Sequence, residues 1–206
     1  ELGNLIGVPA YTLCGKKVNL YANIGGVKDI EEVGKYKPDG IGLLRTEFLY
    51  MDSTYFPGEN EQFKSYKTIT EAVGSEKPVI IRTLDIGADK KLSYFELPEE
   101  ENPALGLRAV RLCMANKNIF KTQIKAILRA SNYGNIKMMY PMISGIDEMT
   151  EARAIVKEVM EELSEEGIKY NKDIEIGIMV EVPSAAVMAD ILVKEADFFS
   201  IGTNYL

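Results

Sequence analysis

Short apolar runs alternate with longer amphipathic ones along this chain. The apolar runs fall at 18–24, 40–48, 79–84, 136–143, 174–182 and 198–203. They are rich in Ile, Val, Leu and Met. Several are apolar throughout, which predicts strands covered on both faces. Helical patterns lie between them. The stretch 27–36 is short, whereas 59–73 carries Phe63, Tyr66, Ile69 and Val73 at three- and four-residue spacing. Residues 146–163 place Met149, Ala152, Ile155, Val156, Val159, Met160 and Leu163 on one stripe. Ser144, followed three residues later by Asp147, predicts a capping box in front of that helix. A last helix is expected over 184–195. The segment 85–134 is too long for a single crossover. It is polar and irregular over 87–102, then helical over 105–114 and 119–130, and a long insertion after a strand is a common place for function.

Six strand–helix units predict an α/β fold with a parallel sheet. A TIM-type (β/α)8 barrel typically takes about 250 residues. The 206 residues here stop at the sixth strand. The expectation is therefore one incomplete barrel domain over 1–206, with a helical insertion after the third strand and the last barrel units absent.

Two runs end in the same dipeptide, Gly-Ile-Gly-Leu-Leu-Arg-Thr-Glu (40–47) and Pro-Val-Ile-Ile-Arg-Thr-Leu-Asp (78–85). Each puts an arginine, Arg45 or Arg82, at the carboxyl end of a buried strand. The planar guanidinium fork suits phosphate and carboxylate. Asn23, Glu47, Asp85, Met142, Glu181 and Asn204 sit at the other expected strand ends, the rim where barrel enzymes place their chemistry. Arg for a phosphate and Glu for a hard cation suit a phosphorylated carboxylic acid held with Mg²⁺. The structural alternatives are an Arg45–Glu47 pair, an Arg82–Asp85 pair and a buried structural Glu181. Arg108 and Arg111, three apart on the insertion helix, would share one solvated face, and Asn204 could simply close a turn.

Composition narrows the choice. With 24 Lys+Arg against 31 Asp+Glu the net charge is −7, so general binding to nucleic acid or to an anionic membrane is not expected. Any anion site must be a local cluster of cations. The two cysteines, Cys14 and Cys113, have no metal-type spacing, and reduced thiols fit a cytoplasmic setting. No run is long enough to insert in a membrane, and no signal peptide is seen. The count of histidines is 0, which removes His-based triads, His metal ligands and a phosphohistidine on this chain.

The stretches 40–52, 81–89, 101–111, 179–183 and 198–204 are similar, in order, to the motifs of enzyme I of the bacterial sugar phosphotransferase system. That family comprises phosphoenolpyruvate–protein phosphotransferases within the PEP-utilising enzymes. The resemblance is to its carboxy-terminal phosphoenolpyruvate-binding domain and runs from about residue 1 to 204. Pyruvate phosphate dikinase and phosphoenolpyruvate synthase share the barrel and parts of the motifs. The continuation Phe-Leu-Tyr-Met-Asp (48–52) and Glu101-Asn102-Pro103 look more like enzyme I.

The resemblance implies that Arg45 and Arg82 hold the phosphoryl group with Arg108 nearby, that Asn204 touches substrate, and that Glu181 ligates Mg²⁺. It implies transfer to a histidine on a separate domain, then to a histidine-containing phosphocarrier protein, with release of pyruvate as the first step of sugar transport. It also implies a homodimer. No catalytic residue is assigned on this chain, and little activity is expected of it alone. The family pattern continues with an Asp as second Mg²⁺ ligand where this chain has Tyr205, either a substitution or a gap after Asn204. A phenol is a poor Mg²⁺ ligand beside a carboxylate. A further arginine and a Cys acid would lie downstream, and Cys113 does not match that Cys. The alternatives are a non-catalytic binding or dimerisation module of the same fold, or an enzyme of the pyruvate phosphate dikinase or phosphoenolpyruvate synthase type.

Overall fold

The computed structural model describes residues 2–87, 90, 92–102 and 105–204. Asp89, Pro103 and Tyr205, which entered the motifs above, lie outside the described residues. A small antiparallel hairpin, β1 (Ala10–Tyr11) with β2 (Lys17–Val18), precedes the main sheet. Six parallel strands follow in simple chain order: β3 (Tyr21–Ile24), β4 (Gly40–Arg45), β5 (Val79–Arg82), β6 (Ile136–Tyr140), β7 (Ile176–Val180) and β8 (Phe199–Ile201). The sheet is a curled half-barrel with helices, an incomplete α/β TIM-type barrel, and β3 and β8 are its edges.

The helices lie where the apolar stripes are. They are α1 (Ile30–Tyr36), α2 (Glu47–Met51), α3 (Glu59–Val73), α4 (Ala109–Ala115), α5 (Lys117–Ala130), α6 (Ile146–Glu165), α7 (Pro183–Val187) and α8 (Ala189–Leu192). Ile41, Ile69, Val79, Ile81, Ile124, Ile127, Met138, Ile155, Val159 and Ile178 form one core between the sheet and the helices. Successive side chains of a strand point to opposite faces. Leu44 and Ile81 pair in register on the helix side, so Arg45 and Arg82, the next pair, face the other side.

Several expectations are corrected. The run 18–24 is divided: Lys17–Val18 belongs to the hairpin, and the sheet strand begins at Tyr21. The run 40–48 is a strand only to Arg45, and Glu47 opens α2. Arg108 is not on a helix. It is extended, at φ −146 and ψ 167, immediately before α4, so it shares no helical face with Arg111. The start of α6 is capped by Glu148 rather than Asp147: its carboxylate accepts the Ser144 N–H at 2.6 Å and Oγ–H at 3.0 Å. The last helix is two short ones, α7 and α8.

Candidate functional site

Parallel register brings the two Arg-Thr dipeptides together. Arg45 and Arg82 are Cα partners, which sets their backbones about 4.8 Å apart. Thr46 fixes this join from behind. Its hydroxyl donates to the Arg82 carbonyl at 2.8 Å and accepts from Gln123 Nε2 at 3.1 Å. Gln123 Oε1 then accepts the Leu84 N–H at 2.8 Å. Gln123 Nε2 also reaches Tyr66 Oη at 3.2 Å, and both Tyr66 and Tyr50 donate to Gln62 Oε1. The ends of β4 and β5 thus rest on a buried polar network. Sequence reading missed Gln123, although a polar residue on the stripe Phe120, Ile124, Ile127 was a usable signal.

The arginines differ in what holds them. Arg82 is 7% exposed and pairs with Glu47 Oε1 at 2.6 Å and Asp85 Oδ2 at 2.9 Å. Its Nη1 also lies 3.9 Å from Met179 Sδ, two strands away on β7. Arg45 makes no such pair among the described residues; its guanidinium lies over the Phe48 ring, 4.7 Å from the centroid. It lines a cavity of about 510 Å³ with Gly25, Gly26, Leu49 and Tyr66. Yet the buried Nε of Arg45 and that of Arg82 share one property: neither has a hydrogen-bond partner among the described residues. A second cavity of about 500 Å³, beside Val8, Leu20 and Tyr21 on edge strand β3, includes none of the rim charges.

Asp85 is the hub on the far side. It meets Arg108 Nη2 at 3.1 Å and Lys90 Nζ at 3.6 Å as well as Arg82. Burial alone would push its carboxyl up, but Arg82, Lys90 and Arg108 outweigh it and hold Asp85 below its ordinary range. Lys90 also reaches Glu47 at 3.2 Å; nothing in the sequence of the irregular insertion marked it. The Arg82–Asp85 structural pair therefore exists. Glu47 pairs with Arg82 and Lys90 instead of Arg45.

Glu181 follows β7 and is 6% exposed. Its Oε1 accepts the Met142 N–H at 2.8 Å. Burial raises its pKa. The Met142 hydrogen bond opposes that rise, Asp85 adds to it, and Arg82 and Arg108 oppose it again, so Glu181 lies in the field of the whole rim cluster. A Cβ at Gly202 would stand a tight 3.0 Å from Glu181 Cβ and at contact distance, 3.4 Å, from Oε2, so Gly202 packs directly beside this carboxylate. Asn204, exposed, comes two residues later. Asn23 is exposed on β3, apart from these charges. Cys113 is buried in α4 with its thiol pushed up to about 12 by burial, a core thiol.

The rim therefore gathers Arg82, Arg108, Lys90, Glu47, Asp85 and Glu181, with Arg45 alongside. A parallel half-barrel with such a cluster at its carboxyl-end rim is an incomplete α/β-barrel domain with its buried charges where barrel enzymes place their chemistry. All of residues 1–206 match the family described as PEP-utilising enzyme, PEP-binding domain, and the chain belongs to that family. It is 54% identical to the phosphoenolpyruvate-protein phosphotransferase of Priestia megaterium, 52% to that of Staphylococcus aureus and 50% to that of Bacillus subtilis (strain 168). Each comparison covers 100% of this chain and 36% of the relative, so the chain spans about a third of their length. Among the described residues, no helix is long and apolar enough to cross a membrane.

Proposed function

We propose that residues 1–206 are the phosphoenolpyruvate-binding domain of a cytoplasmic phosphoenolpyruvate–protein phosphotransferase, which works as a homodimer in the first step of sugar transport. One observation carries the reading: two arginines, adjacent in register, each keep a buried Nε–H without an acceptor among the described residues. Buried donors are normally satisfied. A phosphoryl group between Arg45 and Arg82 would satisfy both, with Arg108 as the further cation and Asn204 as a substrate contact. Glu47 and Asp85 hold the Arg82 fork from two sides, so it is preorganised for charge that develops during transfer.

Mg²⁺ fits Glu181, whose Oε1 accepts the Met142 N–H while Oε2 lies beside Gly202. Mg²⁺ is commonly bound by one or two carboxylates completed by substrate phosphate oxygens. Bound there, Mg²⁺ neutralises phosphoryl charge and orients the group.

In the transfer, the bond from phosphorus to the enol oxygen breaks as a bond to an imidazole nitrogen forms. The enolate keeps the electron pair and takes a proton at carbon to become pyruvate. With 0 histidines here, the acceptor lies on another domain, which passes the group to a histidine-containing phosphocarrier protein. Calorimetry of phosphoenolpyruvate with Mg²⁺ on the full-length protein tests the reading. Arg45→Ala removes charge-assisted bonds and is expected to weaken affinity about tenfold or more. Unchanged affinity would overturn the assignment.

A further inference from the structure

We propose that Arg111 and Glu148 are positioning residues that clasp the loop after β6 and thereby set the orientation of the Glu181 carboxylate. Neither touches Glu181. Arg111 Nε pairs with Glu148 Oε1 at 3.1 Å, and Arg111 Nη2 donates to the Met142 carbonyl at 3.3 Å. The other oxygen of Glu148 holds Ser144 through its N–H and its hydroxyl. Both sides of the loop are therefore pinned. Arg111 Nη1 further donates to the carbonyls of Leu105 and Gly106, which ties the segment leading to Arg108 into the same clasp.

What the clasp holds is strained. Met142 has φ 59 and Ala109 has φ 50, the left-handed region that β-carbon-bearing residues avoid. With Val182 these two form a small buried cluster of their own, between Arg108 and Glu181 in sequence neighbourhood on either side. The turned peptide at Met142 aims its N–H at Glu181 Oε1. The Ala109 N–H, turned likewise, donates to the Ile86 carbonyl at 2.9 Å. Such conformations persist only where surrounding contacts over-determine them. Groups that orient a metal-binding carboxylate without touching the metal commonly affect affinity as strongly as this arrangement implies. The importance of Glu181 to substrate rests on the function proposed above, whereas the clasp itself does not.

Hydrogen exchange at the Met142 amide, read by mass spectrometry with fragmentation on the full-length protein, tests the clasp. Glu148→Gln preserves shape, and Arg111→Met removes the cation. Each is expected to speed exchange at Met142 about five- to tenfold, the worth of one hydrogen bond, while the Ile178 amide in β7 is unaffected. Each should also reduce the gain in phosphoenolpyruvate affinity conferred by Mg²⁺ about ten- to a hundredfold, with metal-free affinity held within about twofold. Should Arg111→Met not fold, Glu148→Gln alone decides. Unchanged Met142 exchange overturns the inference, and so does faster exchange with the Mg²⁺ gain intact. Unchanged affinity in Arg45→Ala would overturn the reading of the site and leave the Met142 result to judge the clasp.

Discussion

Two charge clusters in this molecule use similar residues and do opposite things. Between α5 and α6, Lys121 and Lys125 meet Glu158, Glu162 and Glu166, with Lys121–Glu162 at 3.4 Å and Lys125–Glu166 at 2.9 Å. Those side chains stay 17–55% exposed, and water screens them. At the rim, Arg82, Glu47, Asp85 and Arg108 are 3–8% exposed at the side chain. Taking such charges out of water costs more than pairing usually returns. The ladder needs no ligand to explain it. The rim is an expense in stability that a binding role accounts for, and the two clusters should respond differently to the same kinds of change.

The sharpest contrast comes from removing one buried partner. Glu47→Ala leaves Arg82 and Lys90 to share Asp85, and it is expected to lower stability by about 3 kcal/mol, measured by chemical denaturation. A loss no larger than that of a ladder variant would erase the distinction. Next comes the support beneath the rim. Gln123→Leu leaves the Leu84 N–H and the Thr46 hydroxyl short of partners in a buried setting, with an expected loss of about 2 kcal/mol. It should also weaken phosphoenolpyruvate binding, since Thr46 and Leu84 flank the arginine-bearing strand ends.

Much of the fold was legible because it rests on periodicity. The 59–73 stripe became α3 with the same bounds, and the six apolar runs each contain a strand of the sheet. Charges at strand ends were legible for a similar reason: a cation closing a buried run is conspicuous. What escaped were features set by tertiary contacts. Glu47 looked like strand because Phe48 prolongs the apolar run, but the chain turns at Thr46, whose hydroxyl bonds the neighbouring strand's carbonyl. Arg108 looked helical with Arg111, yet the positive φ at Ala109 turns it out of the helix and toward Asp85. No local pattern announces that turn, nor the partnership of Glu148 with Ser144 and Arg111.

A smaller effect, of opposite sign, separates the two rim carboxylates. Asp85 has a depressed pKa in the fold, so its stabilisation is full above its unfolded value and is lost as pH falls through the folded one. Glu181 has a raised pKa, so its ionised form is the costly one, and stability gains as pH falls through its folded value. Glu181→Gln keeps an oxygen for the Met142 N–H while removing the charge. Denaturation midpoints across pH should therefore show the variant more stable at neutral pH, with the difference closing in acid. A variant less stable than wild type at neutral pH would refute the assigned sign. Asp85→Asn should behave conversely, costing stability at neutral pH and progressively less in acid.

The ladder should give the least. Lys125→Gln removes contacts to Glu162 at 3.2 Å and Glu166 at 2.9 Å, but both acids remain substantially exposed and are rehydrated on release. The Lys125 pKa is raised chiefly by its hydrogen bond to Glu166, which burial opposes, so the pair does favour the ammonium form. Water supplies nearly the same solvation once the partner is gone, so the denaturation midpoint should shift only slightly. That slight shift should vanish near 1 M salt, where charges are screened beyond about 3 Å. The Glu47→Ala loss should persist in the same salt, because ions do not enter the buried pair. If instead both losses faded together, the rim would be as open to solvent as the ladder, and its arginines would have no need of an anion to explain them.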